Sequence, residues 1–220
     1  MTGPRARARL VVFDLDGTLI DSSQDLAAAV NRALRRAAPD APSLREDVVR
    51  SFIGSGARVL ITRSVAEAQL TQSVDEVLSM FLDEYRRGLL DATRLYPGTR
   101  EALDQLGDRR LAVLTNKPGD MSRAILVGLG VADRFFRIYG AGDVDARKPD
   151  PAGLRRIAEE AGVDVQTAVM VGDSGIDVRT GRAAGALTAG VTYGFDVDSF
   201  RDDPPDFLVS SLTELAGRLS

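Results

Sequence analysis

The chain has 220 residues, enough for one sizeable domain or a domain with a small insert. Its 44% hydrophobic and 27% charged content is that of a soluble globular protein, and a net charge of −4 argues against a nucleic-acid footprint, which needs concentrated basic surface. The absence of His and Cys excludes Ser-His-Asp and Cys-His catalysis, thiol phosphatase chemistry, a disulfide framework and the usual zinc sites. Nucleophilic and acid-base steps therefore fall to carboxylates, hydroxyls or lysine.

Taken in chain order, Arg5, Arg7 and Arg9 precede only four apolar residues, too few for a secretory leader, and read as a frayed tail. Residues 10–13 read as a short buried strand. A helical stretch without strands then runs to Tyr96-Pro97-Gly98. Within it Leu26, Val30, Ala33, Leu34 and Ala37 fall on one helix face. Ser43 with Glu46, and Ser73 with Glu76, have capping-box spacing. Residues 21–91 therefore read as a separate helical insert, and residues 1–20 and 92–220 as the domain it interrupts. Further on, apolar strands at 111–114, 135–139, 168–171, 186–191 and 207–209 alternate with helices at 120–129, 151–161 and 176–184. Gly130, Gly162 and Gly185 stand where C-terminal caps belong. Strands alternating with helices, near-continuously apolar, predict an α/β fold with a parallel sheet covered on both faces. No apolar run approaches the roughly 20 residues of a membrane span. A cysteine-free chain suits a reducing cytoplasm, so a cytoplasmic monomer or homodimer without membrane or nucleic-acid partners is expected.

Four polar clusters follow predicted strands: Asp14-Leu15-Asp16-Gly17-Thr18, Thr115-Asn116-Lys117, Lys148-Pro149 and Gly172-Asp173-Ser174-Gly175-Ile176-Asp177. In a parallel sheet all carboxyl ends lie on one edge, where ligands bind, so these clusters converge. Of 28 basic residues only Lys117 and Lys148 are lysine. Both belong to this set, and a compact ammonium does what a guanidinium cannot. The grouping suits phosphoryl transfer. A carboxylate attacking a phosphate dianion is repelled, and a divalent cation with an ammonium offsets that repulsion. Asp14 and Asp173 can each offer Mg²⁺ one oxygen. Lys148 can neutralise nucleophile and phosphate, the Thr115 hydroxyl can hold phosphate oxygens, and Asp16 can serve as acid and base. An EF-hand needs Gly at its sixth position and Glu at its twelfth. From Asp14 the glycine is fourth and Asp25 twelfth, which sets a calcium loop aside.

The motifs D-L-D-G-T at 14–18, T-N-K at 115–117, K-P at 148–149 and G-D-S-x-x-D at 172–177 resemble, in order and spacing, those of the haloacid dehalogenase superfamily. The resemblance covers essentially the whole chain. It implies a Rossmann-like core with an α-helical cap, and an aspartyl-phosphate intermediate on Asp14 with Asp16 as acid/base. It also implies Mg²⁺ held by Asp14, the Asp16 backbone carbonyl and Asp173. Thr115 and Lys148 would bind phosphate, Gly17, Asn116 and Lys117 would join the substrate site, and Asp177 with Ser174 would support the metal ligands. Asp16 argues against the dehalogenases themselves. Asp21-Ser22, residues 52–57, Thr115-Asn116-Lys117-Pro118 and residues 190–194 resemble the phosphoglycolate phosphatase group. The substrate is therefore expected to be a small phosphorylated metabolite such as 2-phosphoglycolate. A sugar-phosphate or pyrophosphate phosphatase, a phosphotransferase or mutase, and a non-catalytic phosphate-binding protein are the alternatives. Arg58 follows the insert's only Gly-x-Gly turn, Gly54-Ser55-Gly56, and is the candidate partner for a substrate carboxylate.

Overall fold

A computed structural model describes residues 8–220, so Arg5 and Arg7 lie outside the described residues, while Arg9 is not frayed: its amide donates to the Thr167 carbonyl at 2.9 Å and its carbonyl accepts from the Arg110 amide at 3.1 Å. Six parallel strands form one sheet in the order β5-β4-β1-β6-β7-β8. They are β1 (Leu10–Phe13), β4 (Arg110–Pro118), β5 (Arg137–Ala141), β6 (Ala168–Gly172), β7 (Leu187–Val191) and β8 (Phe207–Val209). β1 is central, with Val12 opposite Ala112 on one side and Met170 on the other.

The period of two along each strand divides the core into two layers. Val11, Phe13, Leu111, Val113, Val169 and Val171 face one layer, closed by α5 (Thr99–Gln105), α6 (Gly119–Gly128) and α9 (Leu212–Leu219). Leu10, Val12, Ala112, Leu114, Ala168 and Met170 face the other, closed by α7 (Ala152–Ala161) and α8 (Gly175–Ala184). Burial on both faces explains why the strands read as unbroken apolar runs.

Between β1 and β4 lie α1 (Ser23–Ala37), α2 (Glu46–Arg50), α3 (Ala57–Glu67) and α4 (Val74–Arg87). Leu26, Val30, Leu34, Ile61, Val77, Phe81 and Tyr85 form a third apolar cluster, which Met121 of α6 joins from the sheet side. Among the described residues no helix is long and apolar enough to cross a membrane.

Three local expectations are corrected. The stretch before Tyr96 is not free of strands: β2 (Ile20–Asp21) and β3 (Arg94–Leu95) pair antiparallel where the chain leaves and rejoins the sheet layer. Two-residue strands are too short to leave a periodic signature. Ser43 caps nothing, since α2 begins after Arg45 and the Ser43 hydroxyl instead accepts from Arg35. Ser73 is the N-cap of α4 but makes no side-chain cap bond.

Candidate active site

The site stands at the carboxyl edge of the sheet, where β1, β4 and β6 end side by side. Asp14 directly follows β1 and Asp173 directly follows β6. Asp177 lies in the first turn of α8. There its Oδ2 accepts from the Ser174 hydroxyl at 2.8 Å and from the Ser174 amide at 3.3 Å. That local pairing fixes the carboxylate with Oδ1 toward Lys148, which comes in from the loop after β5.

Asp14, Asp173 and Asp177 are buried, and each offers an oxygen within 4.8 Å of the others. The Lys148 ammonium sits 2.6 Å from Asp177 Oδ1 and 2.7 Å from Asp14 Oδ1, the second an ion-pair contact outside hydrogen-bond geometry. The Asp16 side chain stands apart from the three carboxylates. It accepts from the Ser22 hydroxyl at 2.5 Å, and both its oxygens accept from the Lys117 ammonium at 3.0 Å. Lys117 is buried, and also donates to the Tyr85 hydroxyl at 2.6 Å.

Thr115, Asn116 and Lys117 do not follow β4 as expected. They belong to its final residues, within the register shift that separates Leu114 from Pro118. The Thr115 hydroxyl accepts from the Lys117 amide at 3.3 Å, which leaves its proton free for a ligand oxygen. Asn116 donates to the Lys148 carbonyl at 3.0 Å and to the Gly54 carbonyl of the insert at 3.2 Å.

Gly17 has φ +84°, and a Cβ there would fall inside the Asp173 carboxylate. A Cβ on Gly194 would meet the same side chain. Both glycines thus serve clearance for Asp173, whose Oδ2 accepts from the Phe195 amide at 2.6 Å. Arg58 is not brought to the site. It is half-exposed on α3, paired with Asp75 at the start of α4, and it does not line the cavity beside Asp14. The guanidinium follows the outer face of its helix, an orientation that the Gly-x-Gly turn alone does not specify.

Three contributors escape a reading of the sequence. Tyr85 falls at i+4 and i+8 from Phe81 and Val77 and so reads as plain core. Ser22 and Phe195 reach the site through tertiary approach alone, with no periodicity to mark them.

Electrostatics describe a site short of positive charge. Burial pushes the Asp14 carboxyl up to about 6, against the pull of Lys148, with Asp177 adding repulsion. Burial, then repulsion from Asp14 and Asp177, holds Asp173 well above the ordinary carboxylate range. Burial disfavours the Lys148 ammonium, yet Asp14 and Asp177 outweigh it and raise its pKa. Four carboxyl groups, of Asp14, Asp16, Asp173 and Asp177, share the site with two ammonium groups, those of Lys117 and Lys148. An all-oxygen donor set, with the oxygens of Asp14, Asp173 and Asp177 gathered within 4.8 Å of one another, fits a hard divalent cation such as Mg²⁺.

The chain is 39% identical over 196 residues to a phosphoglycolate phosphatase of Rhodospirillum rubrum, covering 85% of this chain and 80% of that protein. It is 38% identical over 219 residues to one of Mesorhizobium japonicum, covering 96% of each. A crystal structure from Haemophilus somnus, described as that of "a predicted phosphoglycolate phosphatase", superposes with a TM-score of 0.91 at 29% identity, over 98% of this chain and 99% of that one. The family model for haloacid dehalogenase-like hydrolases matches residues 11–191. The chain belongs to the haloacid dehalogenase-like hydrolase family.

Proposed function

We propose that the protein is a Mg²⁺-dependent phosphomonoesterase acting on a small phosphorylated metabolite, with 2-phosphoglycolate, the substrate in the names of its relatives, as the first choice. The observation that carries this reading is the Asp14 carboxylate held beside Lys148 and within reach of Asp173 and Asp177. Residues 1–20 and 92–220 form the reacting domain and residues 21–91 its cap.

The Asp14 carboxylate attacks phosphorus as the ester P–O bond breaks, and Asp16, entering the step in its protonated form, gives that proton to the departing alkoxide and is left as the carboxylate. Asp16 then takes a proton from water as that water attacks the aspartyl phosphate, freeing Asp14 and inorganic phosphate. Lys148 balances the nucleophile against the incoming dianion, with its ammonium kept in place by Asp177. Thr115 donates its free hydroxyl proton to a phosphoryl oxygen. Held by Asp14, the Asp16 carbonyl and Asp173, Mg²⁺ would offset the repulsion between two anions. The cap keeps bulk water from the phosphoenzyme until the leaving group has gone.

The test is phosphate release from 2-phosphoglycolate with Mg²⁺, together with acid-quench trapping of labelled phosphoryl on the protein. Turnover and a label on Asp14, both absent in Asp14→Asn, are expected. Turnover that survives Asp14→Asn, with contaminating phosphatase excluded, overturns the covalent route.

A further inference from the structure

The cavity between the helical insert and the sheet edge runs from Asp14 and Asp16 to an apolar wall that includes Leu26, Ile53, Leu60, Phe81 and Met121. Of all its lining residues only Lys117 is cationic. The ammonium stands between Asp16 of the reacting domain and Tyr85 of the insert, and the one other lysine is taken up by Asp14 and Asp177.

Tyr85 supplies a second pointer. Its hydroxyl oxygen accepts from Lys117, while its own proton meets no acceptor among the described residues. Burial pushes the phenol up to about 12, with Lys117 pulling the other way, so the group stays a donor at neutral pH. A buried ammonium and a buried unspent O–H therefore face the same small space.

From this juxtaposition, and resting on the phosphatase reading above, we infer that Lys117 with Tyr85 is the specificity-determining pair of the site, receiving the carboxylate of a small phosphorylated hydroxy acid. Two terms favour an acid over a neutral alcohol as the leaving group. A carboxylate entering an apolar pocket gains a charge-assisted contact that is stronger there than in water. A neutral alcohol leaves the Tyr85 proton without a charged acceptor and the Lys117 ammonium with Asp16 as its sole anionic partner in the cavity. The choice of lysine in an arginine-rich chain also follows. A planar fork does not fit between the Asp16 oxygens, both at 3.0 Å, and the Tyr85 hydroxyl, at 2.6 Å.

The experiment compares kcat/KM for 2-phosphoglycolate with that for 2-hydroxyethyl phosphate, which replaces the carboxylate by a neutral group of similar length. Wild type, Lys117→Met and Tyr85→Phe are assayed, each checked for a cooperative melt. Lys117 also touches Asp16, so both rates fall in Lys117→Met, and the ratio between the esters is the readout. The wild-type preference for phosphoglycolate is expected to shrink by roughly ten- to a hundredfold in Lys117→Met, the range for a lost charged hydrogen bond. Tyr85→Phe, which removes one oxygen and leaves the ring packed, is expected to shrink it in the same direction by less. A ratio unchanged in both variants overturns the inference while leaving the phosphatase reading intact. A wild-type protein that hydrolyses neither ester overturns that reading and this inference with it.

Discussion

Lys148 and Asp177 are joined at 2.6 Å with both side chains only 3% exposed, and the same ammonium reaches Asp14 at 2.7 Å. Removing the cation would leave three buried carboxylates to repel one another, and a guanidinium has no space between two anions this close. Lys148→Ala and Lys148→Arg are both expected to lose at least roughly a hundredfold in kcat. Steady-state rates near wild type for Lys148→Arg would count against the geometry.

The charge deficit at Asp14, Asp173 and Asp177 predicts opposite effects with and without metal. Asp173→Asn removes one of several mutually repelling buried charges, so the metal-free protein is expected to melt higher than wild type. Millimolar Mg²⁺ should raise the wild-type Tm, as any ligand of the native state does, and barely move that of Asp173→Asn. Calorimetric scans with and without EDTA measure both. A lower metal-free Tm for Asp173→Asn would show that its charge is already compensated.

Gly17 offers a steric test of the same centre. With φ at +84° and no room for a Cβ beside Asp173, Gly17→Ala must displace that carboxylate. Mg²⁺ affinity by titration calorimetry is expected to fall at least about tenfold, in step with kcat. Unchanged affinity would place the metal away from Asp173.

Arg50 of α2 joins the helical insert to the segment after β7. It donates to the Gly194 carbonyl at 3.1 Å and lies 4.8 Å from the Phe195 ring, whose backbone amide holds Asp173. Arg50→Ala is expected to lower kcat/KM by roughly five- to thirtyfold, the equivalent of 1–2 kcal/mol. Charged and neutral esters should fall alike, because the residue acts on the insert's seating and on Asp173. A fall confined to carboxylate substrates would give Arg50 a direct part in recognition.

Glu84 of α4 is buried in the insert and paired with Arg32, Arg36 and Arg87. Burial works against its charge, but the three guanidinium groups outweigh it and lower its pKa below 4.5. A depressed carboxyl pKa stabilises the folded state fully above the unfolded value of 4.5 and loses that contribution as pH falls toward the folded one. Glu84→Gln is expected to lower Tm by roughly 2–4 °C at pH 7, the shift for about 1 kcal/mol in a chain of this size. The gap from wild type should narrow at pH 4. A constant gap across that range would mean the amide fails by packing and not by charge.

The centre of the sheet was legible because its strands are buried on both faces, so 10–13 and 168–171 could be read from apolar runs alone. The site was legible because parallel strands bring their carboxyl ends to one edge, which gathers Asp14, Thr115, Lys148 and Asp173 without knowledge of any helix orientation. Features that depend on how the insert seats on the sheet were not legible. A period of 3.6 places Tyr85 on the apolar face of α4 but does not show that this face ends over Lys117. The same blindness sent Arg58 to the pocket in the sequence reading, when it lies against Asp75. Lys117 was recognised by its rarity, while its burial between Asp16 and Tyr85 emerged only in three dimensions.

The β2–β3 pair has a consequence for how such a chain can change. Ile20 lies opposite Leu95 and Asp21 opposite Arg94, and Asp25 just beyond accepts from the amides of Ala92 and Thr93. The two points at which the polypeptide departs and returns are therefore neighbours, at the spacing a tight hairpin closes. Everything between them can be lengthened, shortened or exchanged without altering the path of any sheet strand. The insert's share in the choice of substrate, Tyr85 included, can thereby drift in one stretch of the gene while the other keeps the phosphoryl-transfer residues and Lys117 in place.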